Sequence, residues 1–373
     1  MSERMAVLGR ISTRFGRERP LRDWSVVLHM HLTDETVTLG ACLRAGGAAV
    51  WYLPLNRNPA PPRIVEEARA SNAGVVADVQ ELERAVAAAP GRPPRVLVVE
   101  ENGRFFQLVH QRAHDRPDDA AIARCIAGIS EHTAGGGRHV DAYASDDRAA
   151  FTVPVVAVYQ EPLKSELETG LGTSQSTAAA ILRGLGAPLS GRRVLVIGYG
   201  NVGKGVARTL AALGACVRVT DIVAERCLAA RLVGLAPVEL LAGLADAELC
   251  VTTTGVSSVL DAGLLERCRD GVRLANVSNK PDEIDLRGCE RIARAEPART
   301  LWRTPGGKTV ELLGDGLQVN HVVGSGSPAS LMDLSFSLHA LVLEWLAAEP
   351  RPPSRLAVPT AIRERVATLA LDA

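Results

Sequence analysis

The chain has 373 residues, and its 42 Lys and Arg residues balance 42 Asp and Glu residues. A neutral chain lacks the basic excess of most nucleic-acid-binding proteins, and no apolar run approaches the roughly 20 residues that cross a bilayer. The seven cysteines are scattered without metal-ligand spacing, which favours a reducing compartment and no zinc site. We therefore expect a cytoplasmic protein with two domains, no nucleic-acid or membrane partner and no metal.

The N-terminal residues are rich in arginine, with five arginines between Arg4 and Arg19. They lack the apolar core of a signal peptide, and the acidic residues Glu3 and Glu18 lie among them. We expect a solvated arm.

In the first half, short apolar runs alternate with helical patterns, which is typical of a largely parallel sheet with helices on its faces. Ligands gather at the carboxyl ends of strands in such sheets. The polar residues at or beyond the ends of these runs are therefore site candidates, although each of them alone would also suit an ordinary loop. They are His29, Asn56 and the stretch Glu100, Glu101, Asn102 and Gly103. The runs cover residues 26–30, 48–53, 74–79, 96–99 and 153–158.

Residues 129–137 form the most unusual part of a polar, glycine-rich stretch. Such a segment either approaches a ligand closely or forms a flexible loop. The sequence leaves both possibilities open.

The second half contains a G-x-G-x-x-G turn formed by Gly198, Gly200 and Gly203. An apolar strand at 194–197 precedes it and a helix beginning near Asn201 follows, so the motif has the context of a dinucleotide site. Asp221 ends the next strand about twenty residues further on, where an acid binds a ribose hydroxyl and repels a 2′-phosphate. These residues predict NAD rather than NADP, the alternative being a tight turn in another kind of α/β protein.

The whole pattern predicts an α/β protein with two doubly wound, Rossmann-like domains. A helix at 174–185 crosses into the second domain, whose further strands lie at 217–221, 249–252, 272–277 and 311–319. A helix at 332–347 then carries the chain away from that domain. We predict a discontinuous substrate domain (1–173 and 328–348), an inserted NAD-binding domain (174–327) and a tail (349–373).

These residues resemble the S-adenosylhomocysteine hydrolase family over nearly the whole chain. The glycine turn differs from the family's GYGDVGKG only by Asn201, and residues 251–255 match its VTTTG. Leu28, His29 and Met30 with Glu35 and Thr36 resemble its LHM-T-x-E-T, but this segment is two residues longer here. Other matching stretches are 128–133 (GISEETTTG), 164–165 (TKSKFDN), 276–285 (CNIGHFDxEID) and 316–320 (EGRLVNL).

The resemblance implies NAD as cofactor and a homo-oligomer, a dimer or a tetramer. The family's distal Lys and Tyr, which reach a neighbouring subunit's cofactor, have no counterpart after residue 371, so we expect a more open NAD site. The cofactor residues implied are Gly198, Gly200, Asn201, Val202, Gly203, Asp221, Thr133, Thr252, Thr253, Thr254, Asn276 and Asn320.

The resemblance also implies a redox-neutral reaction, in which a nucleoside is transiently oxidised at C3′, loses its C4′ proton and releases its 5′ substituent. Lys164 would serve the 3′-hydroxyl and His29 the 5′ leaving group. Glu101 and Glu168 stand where the family has aspartates, and His132 where it has a glutamate. The substrate residues implied are Glu35, which faces the purine, together with Thr36, Asn56, Asn279 and Ser327.

Several of these positions depart from the family. Asn279 and Ser327 replace histidines, and residues 56–61 replace the family's NxFSTQD run. Because each unpaired buried polar group costs roughly 1–3 kcal/mol, these changes favour a different nucleoside-like substrate, as in a specialised biosynthetic pathway. An authentic adenosylhomocysteinase and an NAD-binding regulatory protein without turnover are the alternatives, and the outcome (hydrolase, dehydratase or dehydrogenase) stays open.

Overall fold

The computed structural model describes residues 4–55, 60–71, 73–88, 95–110, 120–295 and 299–373. The chain forms two compact units, the first comprising Met1–Ser165 and Ala329–Ala373 and the second Glu166–Pro328. The boundary between the two units lies between Ser165 and Glu166, earlier in the chain than the predicted boundary between residues 173 and 174. The segment 349–373, predicted as a separate tail, belongs to the first unit.

The strands are β1 (Ser25–His29), β2 (Ala49–Tyr52), β3 (Gly74–Val75), β4 (Val96–Glu100), β5 (Ile126–Glu131), β6 (Val155–Ala157), β7 (Arg193–Ile197), β8 (Cys216–Thr220), β9 (Ala236–Pro237), β10 (Leu249–Thr252), β11 (Val272–Asn276), β12 (Glu290–Ala295), β13 (Arg299–Arg303), β14 (Thr309–Gln318) and β15 (Arg355–Leu356).

The α-helices are α1 (Ala6–Glu18), α2 (Asp34–Ala45), α3 (Pro62–Ala70), α4 (Val79–Ala88), α5 (Arg104–His110), α6 (Ala120–Cys125), α7 (Ala134–Ala144), α8 (Ser174–Leu185), α9 (Asn201–Ala212), α10 (Ala224–Leu232), α11 (Leu240–Asp246), α12 (Ala262–Leu265), α13 (Val319–Val322), α14 (Ala329–Ala348) and α15 (Thr360–Leu371). Short 3₁₀ helices cover Val158–Gln160 and Pro281–Glu283, and a π-helix covers Leu163–Thr173.

The first unit contains a parallel seven-stranded sheet in the order β15-β6-β5-β4-β1-β2-β3. The central strand β4 is apolar up to Glu100, and Val96, Leu97, Val98 and Val99 are fully buried, as expected for a strand covered on both faces. Helices α1, α2 and α14 pack together, and α14 also contacts β4 and β5. Side chains of α4 to α7 join a separate cluster with the sheet.

The prediction of a solvated N-terminal arm was wrong, because these residues form α1. Val7, Leu8, Ile11 and Phe15 recur at helical spacing and are buried. The buried carboxylate of Asp333 on α14 accepts hydrogen bonds from the amides of Val7 (2.9 Å) and Leu8 (2.8 Å). It thereby satisfies amide groups that the first turn of a helix leaves without an intrahelical partner.

The glycine-rich segment 129–137 is not a flexible loop, because its residues end β5 and begin α7. A Cβ atom on Gly136 would lie 2.2 Å from the Glu131 carboxylate, and one on Gly137 would lie 2.4 Å from the Tyr159 ring. The glycines therefore let α7 pack closely on neighbouring side chains.

The second unit contains an eight-stranded sheet in the order β12-β13-β14-β11-β10-β7-β8-β9. Its strands pair in parallel except at β12 and β13, which form an antiparallel edge that the sequence analysis did not predict. The predicted strands and the helix at 174–185 are confirmed, and so is the α/β fold class. The π-helix runs directly into α8.

Among the described residues, α14 is the one helix long and apolar enough to cross a membrane by length and composition. Most of it is buried within the first unit, where it also carries the buried side chains of Asp333 and His339. These features are those of a core helix.

Candidate functional site

The carboxyl edge of the first unit's sheet gathers ionisable side chains from neighbouring strands. His29 of β1 pairs in register with Glu100 of β4, which pairs with Glu131 of β5. The pairing continues one residue further, since the amide of Glu101 donates to the His29 carbonyl (3.0 Å) and that of His132 to the Glu100 carbonyl (2.9 Å). The structure thus brings His29, Glu101 and His132, all predicted as site residues, to one edge.

Glu100, a site candidate from its place after a strand, and Glu131, which was not among the predicted site residues, are both fully buried at this edge. Glu100 accepts hydrogen bonds from the amides of Phe105 (2.6 Å) and Phe106 (2.9 Å), so it stabilises the N-terminus of α5. Glu131 accepts from the amide and hydroxyl of Thr133 (2.8 and 2.9 Å). Burial raises the pKa of Glu100 to about 7. Burial, reinforced by the charge of Glu100, also raises the pKa of Glu131 well above its usual range.

His29 is buried and its ring is oriented by the backbone. Its Nδ1 lies 2.8 Å from the Leu53 carbonyl oxygen, which can only accept, so Nδ1 carries the proton and Nε2 is the acceptor. The ring also contacts the Phe105 ring edge-on at 5.6 Å. Burial lowers the pKa of His29 to about 4, and the imidazole is therefore uncharged at neutral pH.

His31 is hydrogen-bonded to Glu101, the Nδ1 and Oε2 atoms being 2.7 Å apart. His31 lies within the segment that is two residues longer than the family pattern, so the motif comparison gave it no role. Thr36 does not present its hydroxyl outward, because the group donates to the His31 carbonyl (2.7 Å). Glu35, in the first turn of α2, is half-buried.

A second buried chain of polar groups includes His132. The Ser130 hydroxyl lies 2.7 Å from Nδ1 of His339 on α14, and Nε2 of His339 lies 3.0 Å from Nδ1 of His132. Burial, together with the charge of Lys164, lowers the pKa of His132 well below its usual range. Lys164 itself is buried near the start of the π-helix. A sequence reading could not pair His132 with His339, because the chain separates them widely.

Thr133, predicted to contact the cofactor, is the N-cap of α7. Its hydroxyl donates to Glu131 and accepts from the amides of Asn102 (3.0 Å) and Gly136 (3.1 Å). This side chain therefore fixes the loops that follow β4 and β5. Asn56, predicted to bind substrate, lies outside the described residues.

In the second unit, the glycine turn at the end of β7 has the form of a phosphate cradle. Gly198 has a φ of +95°, and a Cβ atom on Gly203 would lie only 2.0 Å from the Gly198 carbonyl oxygen. A Cβ on Gly200 would meet no described atom within 4 Å, which leaves open space beside the N-terminus of α9. Asn201 and Val202 form the first turn of that helix, where the amides and the helix dipole favour a pyrophosphate.

Asp221, at the end of β8, accepts hydrogen bonds from the amides of Tyr199 (2.6 Å) and Val223 (2.9 Å) and pairs with Arg226 at 3.3 Å. Burial opposes ionisation of this carboxyl, but these partners outweigh it and lower the pKa of Asp221. The carboxylate is therefore ionised and fixed where a ribose hydroxyl binds in this fold.

The hydroxyl groups of the threonines after β10 form hydrogen bonds within the protein that support the glycine turn. The Thr253 hydroxyl donates to the Gly198 carbonyl (2.9 Å), and that of Thr254 to Glu283 (2.9 Å). Thr252 lies 3.4 Å from Asn276, at the end of β11.

Asn276 and Asn320 differ in what their amides contact. The amide nitrogen of Asn276 donates to the carbonyls of Lys280 and Gly316, both at 2.8 Å. Asn320 is buried, and its Oδ1 has no hydrogen-bond partner among the described residues. A buried acceptor of this kind suits the carboxamide of a nicotinamide ring, so the residues of this unit fit NAD.

Three further predicted residues also lie in the second unit. Glu168 is buried in the π-helix, and Asn279 is half-buried after β11. The Ser327 hydroxyl lies 3.2 Å from that of Thr173.

Comparison with known proteins gives relatives along the whole chain. The family model of the NAD-binding domain of S-adenosyl-L-homocysteine hydrolase matches residues 170–326. The S-inosyl-L-homocysteine hydrolase of Methanopyrus kandleri is 31% identical, over 99% of this chain and 88% of the relative. The adenosylhomocysteinase of Thermotoga maritima is 30% identical, over 100% and 92%. The crystal structure of a dipicolinate synthase polypeptide from Bacillus halodurans has a TM-score of 0.50 at 14% identity, covering 88% of this chain and 99% of its own, which supports the fold alone.

Proposed function

The chain belongs to the adenosylhomocysteinase family of NAD-dependent enzymes, and we propose that it cleaves a nucleoside 5′-thioether other than S-adenosylhomocysteine. The observation that carries this proposal is the order of His29, Glu101 and His132 across three neighbouring strand ends. A cleavage that passes through a C3′ ketone needs proton donors and acceptors at two positions of the sugar. His29, Glu101 and His132 are ionisable groups of this kind.

Bound NAD would supply the acceptor for the hydride at C3′ and return it after the 5′ group has been exchanged. Residues of the second unit would hold it: the glycine turn at the pyrophosphate, Asp221 at the ribose and Asn320 at the carboxamide. Lys164 would take the proton of the 3′-hydroxyl, as the resemblance implies. His132, held uncharged by burial and by the neighbouring charge of Lys164, would accept or donate a hydrogen bond without adding a second positive charge.

The substrate residues support a nucleoside different from that of adenosylhomocysteinases. At His132 the family's charged carboxylate is replaced by a neutral imidazole bonded to His339. Asn279 and Ser327 replace two histidines of the family pattern. A substrate matched to the family's groups would leave several buried polar atoms unpaired, each costing roughly 1–3 kcal/mol.

An authentic adenosylhomocysteinase is the second candidate. It is favoured by the relative from Thermotoga maritima, which is 30% identical over the whole chain. The relative from Methanopyrus kandleri, whose name specifies an inosyl nucleoside, matches this chain equally well. Sequence identity therefore does not discriminate between the two bases, and the choice rests on the substituted residues.

We also propose that the enzyme acts in the cytoplasm as a homo-oligomer. All seven cysteines lie within the described residues and each is a free thiol, which suits a reducing compartment. Light scattering of the purified protein tests the assembly, and a monomer at working concentration would contradict it.

Product analysis by mass spectrometry tests the proposed function. The purified protein is incubated with S-adenosylhomocysteine, S-inosylhomocysteine and other 5′-substituted nucleosides in isotopically labelled water. We expect thiol release from a compound other than S-adenosylhomocysteine, with labelled oxygen at C5′ if water adds and an unsaturated sugar if it does not. Fastest cleavage of S-adenosylhomocysteine would establish the second candidate, and the absence of any product or NADH would contradict both.

A further inference from the structure

We propose that His31, oriented by Glu101, is the general acid and base at the 5′ position of the substrate. This assignment rests on the proposed function and adds a residue to it. The 5′ group must receive a proton as it leaves, and the water that replaces it must lose one. The two side chains that meet these needs come from the ends of adjacent strands.

The pair has the geometry of a histidine oriented by a carboxylate. His31 Nδ1 lies 2.7 Å from Glu101 Oε2, and the side chains are 16% and 11% exposed. A carboxylate at Nδ1 keeps a proton on that nitrogen, stabilises the imidazolium and makes Nε2 the atom that exchanges protons with a ligand. Part of the His31 side chain therefore lies at the surface of the unit.

The backbone around His31 is fixed. The Thr36 hydroxyl at the start of α2 donates to the His31 carbonyl, and the amide of Leu55 donates to the Met30 carbonyl at 3.2 Å. The amide of Glu101 is held by the His29 carbonyl. Both members of the pair are therefore attached to the sheet edge, and neither depends on a long loop for its position.

His29 is less suited to donate this proton. Its Nδ1 lies 2.8 Å from the Leu53 carbonyl oxygen, which holds that nitrogen as a donor, and burial keeps the ring uncharged. His31 also interacts electrostatically with His29 and His132. Since burial lowers the pKa of both histidines, neither adds a positive charge that would oppose protonation of His31.

The proton steps balance as follows. After oxidation at C3′ and loss of the C4′ proton, the C4′ electron pair forms a double bond to C5′ and the C5′–S bond breaks. The sulfur leaves with the bonding pair and takes a proton from His31 Nε2. Water then adds its oxygen to C5′, its proton returns to His31 Nε2, and C4′ regains a proton from the base at the 3′ side.

The test separates the 5′ step from the oxidation step in the full-length NAD-loaded protein. We compare wild type with His31→Gln, using three readouts: NADH absorbance, exchange of the C4′ hydrogen with labelled water, and thiol release. His139→Gln, which alters an exposed histidine on α7, is the matched control. We expect His31→Gln to keep NADH formation and C4′ exchange but to release thiol roughly 10²–10⁴-fold more slowly, while the control releases it normally.

Wild-type thiol release by His31→Gln would overturn the assignment, and so would an equal loss of NADH formation, which would indicate a structural role. Absence of NADH in the wild-type protein with every nucleoside would instead contradict the proposed function. A readout without cofactor or substrate is nitrogen NMR of the His31 ring. We expect the proton on Nδ1 in the wild type and loss of that preference in Glu101→Met, whereas an unchanged ring would overturn the pairing.

Discussion

The carboxyl edges of the two sheets present different chemical groups, mainly backbone in the second unit and ionisable side chains in the first. In the second unit the cradle consists mainly of backbone, namely a glycine turn and the first amides of α9. Threonine hydroxyls support it by donating to the Gly198 carbonyl and to the Glu283 carboxylate. In the first unit the edge consists of ionisable side chains, most of them bonded to one another or to loops from neighbouring strands. The backbone edge suits a cofactor that must be held, and the ionisable edge suits a substrate whose protons must move.

The largest effect is expected at the cradle, from Gly203→Ala. The new Cβ would lie 2.0 Å from the Gly198 carbonyl oxygen, so the turn must open. Overpacking of this kind typically costs about 1–3 kcal/mol, and we expect NAD binding, measured by calorimetry, to be lost. In Gly200→Ala the Cβ meets no described atom, so stability should change by less than about 0.5 kcal/mol while NAD binds more weakly. Normal NAD binding by Gly203→Ala would show that the cradle is not the cofactor site.

At the ionisable edge, we expect the burial of His29 to make the free energy of unfolding depend on pH. Its pKa is about 4 in the folded protein and 6.5 in the unfolded chain, so between these values only the unfolded chain takes up the proton. The stabilisation is complete above pH 6.5 and is lost as the pH falls towards 4, by about 3 kcal/mol in all.

Glu100 opposes this trend, because its raised pKa makes the folded state lose stability as the pH rises towards 7. The free energies of unfolding of wild type and His29→Asn in urea isolate the histidine, since the asparagine amide can still donate to Leu53. We expect the advantage of the wild type to shrink as the pH falls from 6.5 to 4. A constant difference would contradict the assignment.

A steric change in the first unit tests how closely α7 is packed on Glu131 at this edge. Gly136→Ala would place a Cβ 2.2 Å from the Glu131 carboxylate. We expect a loss of about 1–3 kcal/mol in the free energy of unfolding. In Gly16→Ala on α1 nothing lies within 4 Å of the new Cβ, and helix propensity predicts a gain of about 0.5–1 kcal/mol. Equal effects of the two substitutions would mean that the close packing of α7 contributes nothing to the free energy of unfolding.

These glycines also illustrate what the sequence could and could not predict. The cradle was predicted because its residues are close together in the chain and one spacing rule covers them. The helix α1 was not predicted because its arginines lie between the apolar residues Val7, Ile11 and Phe15, so that composition alone indicates a solvated segment. The pair of His132 and His339 joins a strand end to a distant helix, and no local pattern encodes such a contact. Long-range pairs at the ionisable edge therefore required the structure.

The smallest effect concerns cofactor preference. Asp221→Ala removes a ribose acceptor and a negative charge, and it releases Arg226, which now lies 3.3 Å from the carboxylate. Since an arginine at this position accommodates a 2′-phosphate, we expect the ratio of NADP to NAD affinity to rise by roughly tenfold, or about 1.4 kcal/mol. The double variant with Arg226→Ala should gain less NADP affinity. If both variants show the same ratio, Arg226 takes no part.

The most direct test of the division between the two edges is rapid-scan absorbance of NADH in wild type and Lys164→Met, each mixed with the best nucleoside substrate. Lys164 belongs to the first unit, so Lys164→Met should bind NAD with the affinity of the wild type. It should reduce that NAD roughly 10²–10⁴-fold more slowly, because the group that takes the 3′-hydroxyl proton is gone. NADH formation by Lys164→Met at the wild-type rate would contradict the assignment of the 3′ proton transfer to Lys164 of the first unit.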